Sequence, residues 1–353
     1  ISKVNGNLLS AIGKVQGITD TNINKINGQD VGDGTPPHSP LWVAIGRDGR
    51  VLHSTDAATW SDEYVVPVNT SVDYWDLSFG KNGSDEDMWV ISTGIADPEL
   101  YTAADPTNDA DDWSAVNFAT THKTRATEYG VNGTWIATRN KSPSGTVQRS
   151  TNGGSTWAEI STGLSGVGVN LCIATDGDGL WLIGGTTKTI KSHDDGLTWY
   201  VSHAGRGNRI EYNNGVWLKT NNGTNAHYAT SISDSDSLDT WNSITAGNNA
   251  TWAVCHVSGD NWLLSRASDI WKSTDNCVSW TKVTRPSNVG FVTGLATDGT
   301  RVAACGKGQR IEYTTDLGAS WTDAHSADRQ LLSIEYNYWM PAGKTIHRPI
   351  PKK

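Results

Sequence analysis

The chain has 353 residues, with 18% charged and 36% hydrophobic side chains, 37 Gly, 17 Trp and only 3 Phe. That much Trp excludes a disordered chain, and the composition lacks the Leu, Ala, Glu and Lys bias of a helical bundle. The balance of 28 basic against 37 acidic residues, net −9, argues against nucleic acid as the main partner, and no run of about 18 apolar residues exists to form a transmembrane helix.

Residues 1–34 carry a repeat. Ile1-Ser2-Lys3-Val4-Asn5-Gly6 returns as Ile12-Gly13-Lys14-Val15-Gln16-Gly17 and again as Ile23-Asn24-Lys25-Ile26-Asn27-Gly28, a period of 11. Each copy alternates apolar and polar residues and ends on a turn dipeptide, so it is expected to supply one short strand. Ile1, Val4, Ile12, Val15, Ile23 and Ile26 are the candidate docking residues. So small a segment cannot bury a core alone and needs copies of itself or a larger assembly. The residues do not read as a secretory leader, and residues 35–40, within a Gly- and Pro-rich stretch, read as a linker.

From Trp42 onward one phrase recurs: an apolar Trp strand, a Gly turn, a second strand, then Ser-x-Asp-x-Gly-x-Thr-Trp. Its clearest copy is Ser192, Asp194, Gly196, Thr198 and Trp199, and equivalent positions are Asn152 with Trp157, Asp275 with Trp280, and Asp316 with Trp321. Asp56 with Trp60 is one residue shorter, Asp236 with Trp241 is weaker, and the stretch ending at Trp113 is degenerate. The seven terminal Trp stand 39 to 53 positions apart, and Trp42, Trp89, Trp135, Trp181, Trp217 and Trp262 each precede one by 18 to 24. Asn-Gly and Asp-Gly turns accept the positive φ angles of a two-residue hairpin. Four short strands in about 40 residues is the period of a propeller blade.

An all-β, seven-bladed β-propeller over residues 41–347 is therefore expected, with a C-terminal tail at 348–353. Leu331–Tyr336 reads as an innermost strand lacking its blade, and pairing it with the strand at Trp42 would close the ring and remove the open edge. Trp339–Gly343 also resembles a Trp strand, which leaves eight blades as the alternative.

The phrase ending in Thr-Trp resembles the Asp-box, or BNR, repeat of sialidases and related propellers. The resemblance covers most of residues 41–321 and implies a fold, not an activity. Asp accepts backbone N–H groups in a tight turn, Gly takes the positive-φ position and Trp packs across the blade. Residues repeated in nearly every blade cannot mark one active site, so Asp56, Asn152, Asp194, Asp236, Asp275 and Asp316 are read as structural, as are the Trp that follow them. The N-terminal Ile-x-Lys-[Val/Ile]-Asn-Gly run resembles repeats near the attachment ends of bacteriophage tail and structural proteins. Together the resemblances imply a virion component, assembled in the host cytoplasm, whose N-terminus docks on other virion proteins as a homo-oligomer. Its propeller would be displayed as an adhesin for host-surface glycan or protein, or as a decoration.

No catalytic set stands out, and no cofactor is expected. The Arg-Ile-Pro phrase of sialidases is missing. Glu-Tyr dipeptides occur at Glu128, Glu211, Glu312 and Glu335, but adjacent strand residues point to opposite faces, and their recurrence at similar blade positions favours packing. A glycoside hydrolase with two opposed carboxylates is the rival enzymatic reading. Asp105, Asp109 and Asp111 could offer oxygens to calcium but lack the Gly and terminal Glu of an EF-hand loop, and a solvated loop is the better reading. The four Cys show no Cys-x-x-Cys spacing. Trp75, Trp252 and Trp271 fall outside the two-per-blade pattern; packing between blades is the better reading, and they are the aromatic candidates for stacking on a sugar ring. A third class, photosystem-assembly propellers that bind polypeptide, carries a leader or lipobox that is not seen here.

Overall fold

The computed structural model describes residues 40–66, 72–95, 97–107, 112–119, 123–130, 133–139, 145–221, 226–244, 251–266 and 269–337, together with six two-residue strands before residue 31. Two compact units emerge, Ile1–Ser39 and Pro40–Lys353. In the first, the strands pair as hairpins: Lys3–Val4 with Asn7–Leu8, Lys14–Val15 with Ile18–Thr19, and Lys25–Ile26 with Gln29–Asp30. Each 11-residue copy thus gives two strands where one was expected. The residues after each Asn-Gly or Gln-Gly dipeptide turn back onto the strand before it, because two residues are enough to close an antiparallel pair.

The second unit is a seven-bladed β-propeller, built among the described residues from seven four-stranded antiparallel sheets. Blade 1 combines Leu331–Tyr336, innermost, with Trp42–Gly46, Arg50–Ser54 and Tyr64–Val65. Tyr336 pairs with Trp42 and Leu331 with Gly46, so the two ends of the propeller sequence share one sheet. The inner strands of blades 2 to 7 are Asp76–Lys81, Thr124–Gly130, Asn170–Thr175, Ile210–Asn213, Thr251–Ser258 and Val292–Thr297. Each contacts the next around the axis, and the last contacts Leu331–Tyr336, which closes the ring. Trp339–Gly343 and residues 348–353 lie outside the described residues. No helix among the described residues is long and apolar enough to cross a membrane.

Four strands per blade is an even number, so every inner strand starts at the same end of the ring. That end carries the loops between blades and those joining second to third strands. The opposite end carries the Asp-centred turns between third and outer strands. Trp42, Trp89, Trp135, Trp181 and Trp262 are among the largest fully buried side chains, and they fill the gaps between radiating sheets.

Candidate functional site

The recurrent Asp-centred turns use their carboxylates structurally. The Asp194 carboxylate accepts the backbone N–H groups of Leu197 and Thr198 at 3.1 and 2.8 Å and the hydroxyls of Ser192 and Thr198 at 2.8 and 2.7 Å. Trp199 Nε1 closes the turn on the Gly196 carbonyl at 3.0 Å. Asp56, Asn152, Asp275 and Asp316 repeat the arrangement. The hydroxyl and amide of Ser320 hold the Asp316 carboxyl at about 2, below its usual range.

Asp236 does not belong to this set. It is exposed and accepts none of these bonds among the described residues. Asp239 takes the part instead, accepting the Ser233 amide at 2.7 Å and the buried Lys191 ammonium at 2.9 Å. Trp241 Nε1 accordingly bonds Ser202 Oγ, at 3.2 Å, rather than a turn carbonyl. Asp236 stands five residues before Trp241, the same spacing as Asp194 to Trp199, so the difference lies in the path of this turn, which is held through Asp239, and not in its length.

What is left lies around the axis. Phe79, Tyr129, Tyr212, His256 and Tyr336 stand opposite Trp89, Trp135, Trp217, Trp262 and Trp42, with ring centroids 4.6 to 5.1 Å apart. The residue before each therefore lies at one common level of the ring. In blade order that level reads Glu335, Ser78, Glu128, Ala174, Glu211, Cys255 and Ala296. The dipeptides thus have two fates: Tyr packs on the blade, as the sequence suggests, and Glu faces the axial cavity, which the sequence reading missed. The signal was there, in the register of each Glu against the Trp of the following strand. Glu312 is the exception. It lies on the third strand of blade 7 and accepts the Ser287 and Asn288 amides at 3.1 and 2.6 Å.

Glu128, Glu211 and Glu335 line a cavity of about 680 Å³ together with Asp76 and Arg209. Two residues nearer the strand starts, Arg209 of blade 5 forms an ion pair with Asp76 of blade 2. The channel admits some water, yet protein surrounds these groups, and desolvation dominates their chemistry. Burial pushes Glu128 up to about 8 and Glu211 up to about 7, and Asp76 and Glu211 add repulsion on Glu128. Glu335 is raised well above its usual range by burial, then by Glu128, Glu211 and Asp76. Burial also raises Asp76 against the pull of Arg209, while Asp76 raises Arg209 in spite of its burial. Each Glu accepts a backbone amide: Glu128 from Tyr129 at 3.2 Å and Glu211 from His256 of the next blade at 2.8 Å. Several protonated carboxyls in one water-containing layer can donate as well as accept hydrogen bonds near neutral pH.

The three spare Trp divide. Trp271 is on the third strand of blade 6, packed with Leu218 and Ile244 of blade 5, so it fills a gap between blades. Trp75 and Trp252 stand at the starts of the inner strands of blades 2 and 6. The Arg125 guanidinium lies 3.9 Å over the Trp75 ring. A Cβ on Gly94 would come within 2.1 Å of the same indole, so backbone also abuts it. Trp252 meets Phe291 edge to face at 5.4 Å, with the Lys307 ammonium 4.8 Å from the Phe291 ring and 5.9 Å from the Trp252 ring.

Asp105 accepts the Thr107 amide at 3.0 Å and hydroxyl at 2.7 Å in a local turn, while Asp109 and Asp111 lie outside the described residues. No group of three or more His, Cys, Asp or Glu among the described residues is arranged to hold a metal ion.

No family model and no curated protein matches the chain. Solved structures do. A protein of unknown function from Desulfotomaculum acetoxidans superposes with a TM-score of 0.59 at 12% identity, over 84% of this chain and 98% of that one. YCF48 bound to a D1 peptide gives 0.55 at 14% identity, over 75% and 85%. YCF48 from Cyanidioschyzon merolae gives 0.53 at 14% identity, over 73% and 86%. At such identities the likeness is one of fold.

Proposed function

We propose that this chain is a bacteriophage virion component that displays a ligand-binding Asp-box propeller and docks through its N-terminal repeats. The observation that carries the reading is the division of labour along the chain. A unit of three tiny hairpins at an 11-residue period, too small to hold a core, precedes a closed propeller. Two-stranded hairpins, with no third strand paired to them among the described residues, suit pairing with further strands, in copies of the chain or in another virion protein. The propeller's recurrent acids are consumed by its own turns, which leaves binding as the activity expected of it. The target is host-surface glycan, and many copies on one particle would raise avidity by orders of magnitude.

The test is to mix the purified protein with polysaccharide from candidate host cells and follow polymer mass by light scattering. Unchanged polymer that co-elutes with the protein supports the adhesin. Neither binding nor cleavage would leave only a structural role on the particle. A second reading, glycoside hydrolysis, is kept for one reason: Glu128 and Glu211 share a level of the channel with pKa values of about 8 and 7, the range a general acid needs. Falling polymer mass that Glu128→Gln or Glu211→Gln abolishes would replace binding with turnover.

A further inference from the structure

At the end of the ring where the inner strands start, Arg125 and Lys307 lie against aromatic rings with no acidic partner among the described residues. Arg125 is half-buried on Trp75, and neither ion pair nor hydrogen bond engages its guanidinium among the described residues. Lys307 is exposed above Phe291 and Trp252, also without an ion pair among the described residues. Of the other charges there, Asp48 pairs with Arg329, Asp73 with Arg47 and Asp328 with Arg50, while Lys188 and Arg206 bond the Ser165 carbonyl and the Asn208 Oδ1 and Lys123 is exposed. Asp97, exposed on a neighbouring loop, bonds to neither free cation among the described residues. The Asp-centred turns stand at the opposite end, so an overall charge of −9 hides a face with uncommitted positive charge.

A guanidinium held flat on an indole keeps its edge N–H groups for a planar anion, and the ring limits its freedom. Half-burying an unpaired cation is unfavourable, and a carboxylate would relieve it. We propose that this face holds an acidic polysaccharide, with Arg125 on Trp75 and Lys307 on Phe291 and Trp252 as its two carboxylate anchors. The inference rests on the glycan-binding reading above and names the class of glycan and the face. It changes the part given to Trp75: the ring does not itself stack on sugar, since guanidinium and Gly94 occupy it, but orients the group that does the binding. At the second anchor the rings are half-buried and the ammonium lies beside them. A uronic acid fits that pairing, because its carboxylate is fixed to a ring whose C–H face can cover an aromatic edge. An acidic peptide offers carboxylates on flexible stems with no such face. The anchors belong to blades 2 and 3 and to blades 6 and 7, on separate arcs of the ring, so one chain molecule would be held at two points.

The test measures binding of the full chain to polygalacturonate, to its carboxyl-reduced form and to polyglutamate by affinity electrophoresis. Polygalacturonate should retard the protein, the reduced polymer should not, and added salt should weaken retardation. Arg125→Gln and Lys307→Gln should each weaken binding about tenfold, as expected for loss of a charge-assisted hydrogen bond. Arg125→Lys should restore part of it, and Asp236→Asn, at the other end, should change nothing. Unaltered melting of each variant separates lost binding from lost folding. Equal retardation by the reduced polymer, wild-type binding by Arg125→Gln, or preference for polyglutamate would each overturn the proposal. So would failure of all three probes while host polysaccharide still binds, which leaves the adhesin reading standing. Failure of host polysaccharide as well removes both.

Discussion

Arg209, just before the inner strand of blade 5, reaches across the propeller axis to Asp76 at the start of the inner strand of blade 2. The contact spans 133 positions of sequence and joins two blades that are not neighbours. Arg209 and Lys81 are the Arg and Lys side chains lining the cavity among the described residues, and Lys81 is paired with Asp87. Removing one partner leaves the other shielded and uncompensated, the costly case for buried charge.

Asp76→Asn is therefore expected to destabilise the propeller by about 3 kcal/mol or more, and Arg209→Met similarly. The double variant Asp76→Leu with Arg209→Met should recover most of that loss. Denaturant midpoints of the three proteins decide it. Additive losses in the double variant would show that the residues act independently.

Glu128 and Glu211 predict a pH dependence with a definite sign. Their folded values, about 8 and about 7, lie above the 4.5 of a free Glu. Unfolded chains release these protons near pH 4.5 while the folded protein keeps them. The stability these groups contribute is therefore complete below pH 4.5 and lost as pH rises toward 8. Water in the channel softens the effect to roughly 1–2 kcal/mol per group. Glu128→Gln should flatten the curve and be the more stable protein at pH 9, as read by urea unfolding across pH.

The Asp-centred turns give a graded series. Asp194→Ala should lose about 1 kcal/mol, since two turn amides return to water. Asp239→Ala should lose about 3 kcal/mol, because the Lys191 ammonium is left buried without its partner. Asp236→Ala should stay within about 0.5 kcal/mol. Thermal melts of the three variants are sufficient, and a large loss at Asp236 would contradict the turn geometry.

Gly196 and Gly179 separate conformational strain from crowding. Both have positive φ, +85° and +87°. A Cβ at Gly196 would meet Ile136 Cδ1 at 2.3 Å, whereas nothing lies within 4 Å of one at Gly179. Gly179→Ala should cost about 1 kcal/mol for the backbone alone, and Gly196→Ala clearly more. Equal losses would mean that Ile136 moves aside freely.

The sequence by itself determined the repeat and the propeller class, because those follow from local periodicity: a Trp strand must be buried, and a Ser-x-Asp turn satisfies its own amides. It left seven or eight blades, and the pairing of Leu331–Tyr336 with Trp42–Gly46 in the structure gives seven. Alternation of strand faces also showed that Glu and Tyr of each dipeptide are not side by side, and recurrence led to packing being expected of both, which holds for the inner-strand tyrosines but not for their glutamates. Tertiary structure alone decided what meets at the axis. Glu335, Glu128 and Glu211 come from blades 1, 3 and 5, over 200 residues apart at the extremes, and only the register of each inner strand against its Trp brings them level. It also decided that Asp239 rather than Asp236 anchors its turn, and that Arg125 rather than a sugar lies on Trp75. A motif records neighbours along the chain, whereas desolvation and charge pairing depend on neighbours in space.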